Sequence, residues 1–344
     1  MKSLVNAVLG NTPIIKLDTL FNNKNVYAKL EYYNPTFSIK DRAAFNMVKQ
    51  AWDNGKLKKG DTIIEATSGN TGLGLCFAAS VYELHLICTV FSDVPIEKIN
   101  LLKAFGAIVI ICDSKYPSSG EKGYVGVAKR IAEKYENVYY VDQFNNNNNV
   151  MAHYYSTGPE IWNQMNADID YLFATIGTGG TISGIGKYLK EKNPSVKIIG
   201  VEPVGGIYKS HFNKEDEHYM DHLIQSISDD FISGNFKQEY VDEVVQVEDQ
   251  HSFSMCYEAM RKEGIMIGTS SGCVLSAARE YDIPAEKKAL CIIPDLGLKY
   301  MDTLFNDQYL SENNIIVEDC PKRKQIADDL RDFCFAKDLD CQVC

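Results

Sequence analysis

The sequence predicts an α/β fold with mostly parallel sheets, and three observations predict it. Short apolar runs rich in Val and Ile recur along most of the chain, helix-length segments separate them, and glycine- and hydroxyl-rich turns follow three of the runs. In order, the strand candidates are "NVYAKL", "DTIIEA", "LHLICTVF", "AIVIICD", "VYYVDQF", "YLFATI", "VKIIGVE" and "ALCIIP". The segments "AAFNMVKQAWDNGK", "TGLGLCFAASVYE", "IEKINLLKAFG" and "GYVGVAKRIAEKY" have helix length and stand between them. "FNNNNNV" is a short asparagine run and reads as a loop. Beyond about Leu310 the sheet pattern stops, and the tail reads as polar segments with one amphipathic helix, "KRKQIADDLRDFCF".

With 344 residues, 45% of them hydrophobic, the chain buries a large core and is long enough for two domains or lobes. A formal net charge of -11 argues against nucleic acid or an anionic membrane as the main partner and fits a metabolic protein. The start, "MKSLVNAVLGNTP", lacks the apolar core and cleavage site of a signal peptide, and no apolar run is long enough to span a bilayer. The expectation is a cytoplasmic protein. Its ten cysteines are mostly scattered in apolar segments such as "GLGLCFAAS" and "KALCIIP", as buried thiols in a reducing compartment would be. The terminal pair Cys341 and Cys344, without a second pair or nearby histidines, is read as part of a tail and not as a metal site.

The three turns are "IIEATSGNTGLGLCF", "FATIGTGGTISGIG" and "MIGTSSGCVLSAA". A strand-to-helix turn aims free backbone N–H groups at one spot and adds the positive end of the helix, which suits an anion. "GTGGT", Gly177 to Thr181, is the best phosphate cradle of the three. It is not a dinucleotide fingerprint, because the third glycine of G-x-G-x-x-G falls on Ile182, and no G-K-[ST] follows to make a P-loop. A phosphate held without those signatures points to a different phosphorylated cofactor. The stretch "NPTFSIKDR" then gains a meaning, since the amine of Lys40 suits a Schiff base with a carbonyl, as in pyridoxal phosphate enzymes.

From "GNTPIIKL" to "KYMDTLF" the chain resembles the cysteine synthase and cystathionine β-synthase family of fold type II pyridoxal phosphate enzymes. The resemblance is carried by "NPTFSIKDR", "TSGNTG", "EKINLLKAFGA", "DQFNNNNNVMAHYYSTGPEIW", "GTGGTISGIG", "VEP", "HLIQSISDDFI" and "GTSSG" in the family's order. It implies a two-lobed, tryptophan synthase β-like architecture. A smaller mobile lobe spans residues 45–155, a larger cofactor-holding lobe residues 1–44 plus 156–312, and a tail residues 313–344. It also implies pyridoxal 5'-phosphate as cofactor, a small amino acid as substrate, and a homodimer.

By the same resemblance Lys40 is the Schiff-base lysine and shuttles the substrate α-proton, and Asn70 bonds the cofactor's ring oxygen. Gly177, Thr178, Gly179, Gly180 and Thr181 hold the phosphate, and Ser270 faces the pyridine nitrogen. A neutral hydroxyl there does not keep the ring nitrogen protonated as an aspartate would, and the weaker electron withdrawal favours loss of a β-substituent over transamination. Thr67, Ser68, Gly69, Asn70 and Thr71, with Gln143, match the residues that grip the substrate α-carboxylate. His153 and His222 are read as structural.

One departure bears on substrate. The family's segment "IQGIGxGFI" is here "IQSISDDFI", so Ser226, Ser228 and Asp230 replace glycines and Asp229 stands beside them. A carboxylate about 5 Å from an anionic sulfide repels it by roughly 3 kcal/mol at an effective dielectric of 20, about a hundredfold in rate. The same carboxylate suits a neutral nucleophile as general base. The sequence therefore leans toward β-elimination or β-replacement on L-cysteine through an aminoacrylate. Hydrogen sulfide leaves, and water activated by Asp229 or Asp230 adds to give L-serine. The alternative is a cysteine synthase making L-cysteine from O-acetylserine or O-phosphoserine and sulfide, with both aspartates facing solvent.

Overall fold

The computed structural model describes residue 5 and residues 7–67, 69–118 and 120–318. Among the described residues ten strands stand in chain order: β1 (Ile14–Lys16), β2 (Asn25–Leu30), β3 (Thr62–Ala66), β4 (His85–Phe91), β5 (Ile108–Cys112), β6 (Val138–Tyr140), β7 (Tyr171–Thr175), β8 (Lys197–Pro203), β9 (Glu243–Val247) and β10 (Lys288–Ile293). They form a six-stranded sheet, β1-β2-β10-β7-β8-β9, and a four-stranded sheet, β5-β4-β3-β6. β1 is antiparallel to β2, and every other pairing is parallel.

Parallel strands covered on both faces read as continuous apolar runs, and the inner strands here are of that kind. β10 and β8 are each buried except for the first residue. Edge strands differ: β5 leaves Ile108 and Ile111 exposed. Two strands escape the sequence pattern. β1 has three residues, too few to show a period, and in β9 Glu243 and Gln246 break the apolar run at a sheet edge. The run "VYYVDQF" is strand only to Tyr140, because Asp142 turns the chain with φ at 55°.

The six-stranded sheet buries one face, with Val26, Phe173 and Cys291, against the helices Asp249–Glu263 and Thr269–Glu280. Its other face packs Leu172, Ile182, Ile185 and Tyr208. The four-stranded sheet packs Ile63 and Leu86 against Ala44, Met47, Val48 and Leu75 of the helices Lys40–Asp53 and Asn70–Tyr82. Burial of each such Leu, Ile or Phe contributes roughly 1.5–3 kcal/mol relative to exposure. The helix Lys40–Asp53 thus starts beside one sheet, where Ile39 N–H donates to the Pro294 carbonyl at 2.8 Å, and packs on the other.

Six cysteines among the described residues are free and buried, from Cys76 to Cys291. The tail helix candidate and Cys341 and Cys344 lie outside the described residues. Among the described residues no group of three His, Cys, Asp or Glu side chains is placed to hold a metal ion. No helix there is long and apolar enough to cross a membrane.

Candidate active site

In a parallel sheet the loops leaving the C-terminal strand ends meet over one crevice. Here the loops after β3, β7 and β10 do so, and one cavity between them is lined by Lys40, Asn70, Gly177, Thr178, Gly179, Thr181 and Ser270. Sequence positions 40 to 270 are thereby brought to a single place.

Lys40 opens its helix, and its neighbours are not solvated. Asp41 is buried and accepts from Thr36 N–H at 2.6 Å, while the Thr36 hydroxyl donates to the same carboxylate. Burial raises the Asp41 carboxyl to about 6, against the Thr36 bonds that lower it. The Arg42 guanidinium is buried as well, with Nε 2.7 Å from Glu31 and Nη1 2.6 Å from Glu160. These two side chains anchor the first turn of the helix just after Lys40. The Lys40 amine itself has no hydrogen-bond or ion-pair partner among the described residues and faces the cavity. Burial lowers its pKa below the ordinary lysine value, while Asp295 and Asp229 act in the opposite sense.

The turn after β7 is built as an anion cradle. Gly179 has φ at 75°, in the left-handed region that favours glycine. A Cβ on Gly180 would stand 2.1 Å from Asn149 Oδ1, so the backbone there approaches closer than any side chain allows. The helix Gly180–Lys192 follows directly, and its first amides have no intrahelical acceptor. Asn149 Nδ2 donates to Thr178 Oγ1 at 3.0 Å, and Thr181 Oγ1 lies 3.3 Å from His153 Nε2. His153 is buried, and desolvation holds its pKa down at about 3, so the ring is neutral. A half-buried amine without a partner among the described residues, in one cavity with a helix N-terminus, fits an aldehyde that carries a phosphate.

The residues assigned to the substrate carboxylate stand beside that cavity. Thr71 Oγ1 donates to Gln143 Oε1 at 2.7 Å, and Gln143 Nε2 donates to the Ala66 carbonyl at 3.2 Å. Gly69 N–H reaches Thr67 Oγ1 at 3.4 Å. Ser68 lies outside the described residues. Gly180, Thr67, Thr71, Gln143, Asp229 and Asp230 do not line the cavity with Lys40; Gly69 and Asn70 open onto an adjoining apolar groove with Leu73, Leu101, Phe105 and Leu298.

The two aspartates separate. Asp229 is half-buried and Asp230 is exposed. Burial and the neighbouring Asp230 raise the Asp229 carboxyl above the ordinary value, whereas His222 and Lys40 lower it. Ser226 and Ser228 have φ at 66° and 53°, so the loop keeps a backbone suited to glycine although serines occupy it. The Ser228 hydroxyl donates to Glu202 Oε2 at 2.8 Å, and His222 Nε2 meets the Ser228 carbonyl at 3.1 Å.

Sequence reasoning missed the segment after β10. Asp295 accepts from Asn70 Nδ2 and from the Tyr300 hydroxyl, both at 2.7 Å, and Lys299 Nζ donates to Asn70 Oδ1 at 2.5 Å. The available signal was a polar residue directly after the apolar run "ALCIIP", at the strand end where ligands sit.

Comparisons with known proteins agree with this geometry. The family described as "Pyridoxal-phosphate dependent enzyme" matches residues 5–295. Cystathionine beta-synthase of Apis mellifera is 39% identical over 310 residues, covering 88% of this chain and 61% of that protein. The Saccharomyces cerevisiae cystathionine beta-synthase is 34% identical over 327 residues, 91% of this chain and 64% of that one. The chain thus spans less than two thirds of either relative. An O-acetylserine dependent cystathionine beta-synthase of Bacillus subtilis is 37% identical over 301 residues, covering 86% of this chain and 95% of its own length.

Proposed function

The chain belongs to the pyridoxal-phosphate dependent enzymes, and on that premise we propose that it acts on L-cysteine by β-elimination and β-replacement, releasing hydrogen sulfide. In the simplest form cysteine and water give serine and hydrogen sulfide. When bound, the cofactor supplies an electron sink that acidifies the substrate α-carbon.

In this reading Lys40 carries the cofactor, Gly177 to Thr181 hold its phosphate, Asn70 contacts its ring oxygen and Ser270 its ring nitrogen. Burial of Lys40 keeps more of its amine neutral near pH 7, and a neutral amine is what removes the α-proton. Thr67, Ser68, Gly69, Asn70, Thr71 and Gln143 orient the substrate carboxylate with neutral donors. The observation that carries the cysteine reading is the half-buried Asp229, near enough to Lys40 for their charges to interact, with its carboxyl held above the ordinary value by burial and by Asp230. A carboxylate so placed takes a proton from attacking water and disfavours an anionic sulfide acceptor. Exposed Asp230 then acts only through its charge.

A second reading is favoured by the apolar groove beside Asn70 and by the names of the relatives: an amino-acid thiol replaces water as acceptor and the product is cystathionine. Cysteine synthesis from O-acetylserine or O-phosphoserine and sulfide is the third. The same proposal includes a cytoplasmic homodimer, which sedimentation tests.

The deciding assay supplies cysteine in 18O-water, cysteine with a thiol amino acid, and O-acetylserine or O-phosphoserine with sulfide, to wild type, Asp229→Asn and Asp230→Asn. The proposal expects sulfide and 18O-labelled serine from cysteine, lost in Asp229→Asn and kept in Asp230→Asn. Sulfide release unchanged in Asp229→Asn removes the base role. Efficient cysteine formation with no sulfide release replaces the reading by the third.

A further inference from the structure

We propose that Asp295 and Lys299 are positioning residues that lock the Asn70 amide in one orientation, with an N–H of Nδ2 turned toward the cofactor's ring oxygen. Asn70 comes from the start of the helix after β3, whereas Asp295 and Lys299 follow β10. Asn70 Nδ2 donates to Asp295 Oδ2 at 2.7 Å, and Lys299 Nζ donates to Asn70 Oδ1 at 2.5 Å. A flipped amide would set its carbonyl oxygen against a carboxylate and its NH2 group against an ammonium. Both contacts are repulsive, so the chemistry of the two partners fixes the flip.

Both anchors are themselves held. The Tyr300 hydroxyl donates to Asp295 Oδ2 at 2.7 Å, and Lys299 Nζ also donates to the Thr36 carbonyl at 2.7 Å, in the loop that leads to Lys40. Asp295 is 1% exposed and lines the cavity with Lys40, Asn70 and Ser270. Its Oδ1 is buried and has no hydrogen-bond partner among the described residues. A Cβ on Gly268, which caps the helix bearing Ser270, would come within 2.2 Å of that oxygen. The carboxylate therefore fills the wall between Asn70 and Ser270.

With Oδ1 of Asn70 engaged by Lys299 and one Nδ2 hydrogen by Asp295, the group left for the cavity is the second Nδ2 hydrogen, a donor. A donor at the ring oxygen favours its ionised form, and an acceptor there would favour the protonated form. Charge-assisted bonds are about twice as strong as neutral ones, so this lock outlasts thermal flipping of an ordinary asparagine.

The inference rests on the cofactor ring lying beside Asn70 and not on which amino acid reacts. The test records absorbance spectra and cofactor dissociation constants of the holoenzyme at neutral pH for wild type, Asp295→Asn, Lys299→Met, Lys299→Arg and Asn70→Ala, with Asn70→Ala/Asp295→Asn as the double variant. Asp295→Asn and Lys299→Met are expected to move absorbance from the longer-wavelength band of the ionised ring oxygen to the shorter-wavelength band of the protonated one. Each is also expected to raise the dissociation constant about tenfold. Lys299→Arg restores both, and Asp295→Asn adds nothing once Asn70 is alanine. Lys299→Met alone carries the test where Asp295→Asn does not fold. Wild-type spectra and affinity in the variants, or an undiminished Asp295→Asn effect without Asn70, overturn the inference. Absence of sulfide release from cysteine changes none of these spectra, so the two readings fail separately.

Discussion

Replacing Gly180 by alanine places a methyl group 2.1 Å from Asn149 Oδ1 and 2.5 Å from its Cγ. Real Cβ contacts stay beyond about 3 Å, so Asn149 must move by roughly 1 Å or more to escape. It has little room, being 2% exposed. Its Nδ2 donates to Thr178 Oγ1 at 3.0 Å and to the Gln143 carbonyl at 2.9 Å, and a displacement of that size breaks both bonds. Two buried hydrogen bonds at about 1 kcal/mol each, with partners left unsatisfied, give a cost of about 2–4 kcal/mol. Because Thr178 belongs to the cradle, part of that cost falls on cofactor binding. Gly180→Ala is thus expected to lower the denaturation midpoint of the cofactor-free protein and to weaken cofactor binding at least tenfold. Urea unfolding and a fluorescence titration with the cofactor measure the two effects. Wild-type values for both would show that Asn149 gives way freely and that the close approach is not needed.

Other substitutions and conditions follow from the same geometry. Ser226 holds φ at 66° while exposed, so Ser226→Gly is expected to stabilise the protein by about 1 kcal/mol, read as a higher urea midpoint at unchanged slope. His153, held at about 3 by burial, lies below its ordinary value. The stability this contributes is present above about pH 6.5 and is lost as pH falls toward 3. Glu160, held at about 2 with Arg42 opposing its desolvation, adds a second loss below about pH 4.5. The buried carboxyls Asp41 and Glu65, raised to about 6 and about 8, act in the opposite sense, so the His153 part is read as the difference between wild type and His153→Asn, expected to change by about 1.4 kcal/mol per pH unit between pH 6 and 4.5. Wild-type and His153→Asn profiles that run parallel from pH 6.5 to 4.5 would contradict the His153 assignment, and parallel wild-type and Glu160→Gln profiles below pH 4.5 the Glu160 one.

The turns around the cavity were legible because their signals are local. A glycine needing φ at 75° and a helix beginning at the next residue are both written within "GTGGT". Inner strands were legible for the same reason, whereas β9 was not, since its polar residues reflect an edge position decided by the whole sheet. The setting of Lys40 was out of reach. The clamp on Arg42 comes from Glu160, 118 residues away, and the Asp295 contact to Asn70 spans 225 residues. Asp229 and Asp230 were equivalent in sequence because a loop with two left-handed serines has no period from which side-chain direction can be read.

The asparagine run, read from sequence as a loop, turns out to tie the two halves of the site together. Asn149 stands in the short helix Asn148–Ala152 and donates to the Gln143 carbonyl and to Thr178 Oγ1. Asn235, from the far side of the cradle, donates to the same Gln143 carbonyl at 2.9 Å. Gln143 in turn accepts from Thr71 at the start of the helix after β3. The chain of bonds Thr178–Asn149–Gln143–Thr71 runs from the glycine-rich turn after β7 to the helix after β3 through buried residues, crossing Gln143 from its main-chain carbonyl to its side chain. Such a connected polar network responds as a unit, because breaking one member leaves the next unsatisfied in a medium that solvates it poorly. Damage to the turn after β7 is therefore transmitted to the groups proposed to orient the substrate carboxylate. A variant such as Gly180→Ala, saturated with cofactor, should still show a raised KM for its amino acid.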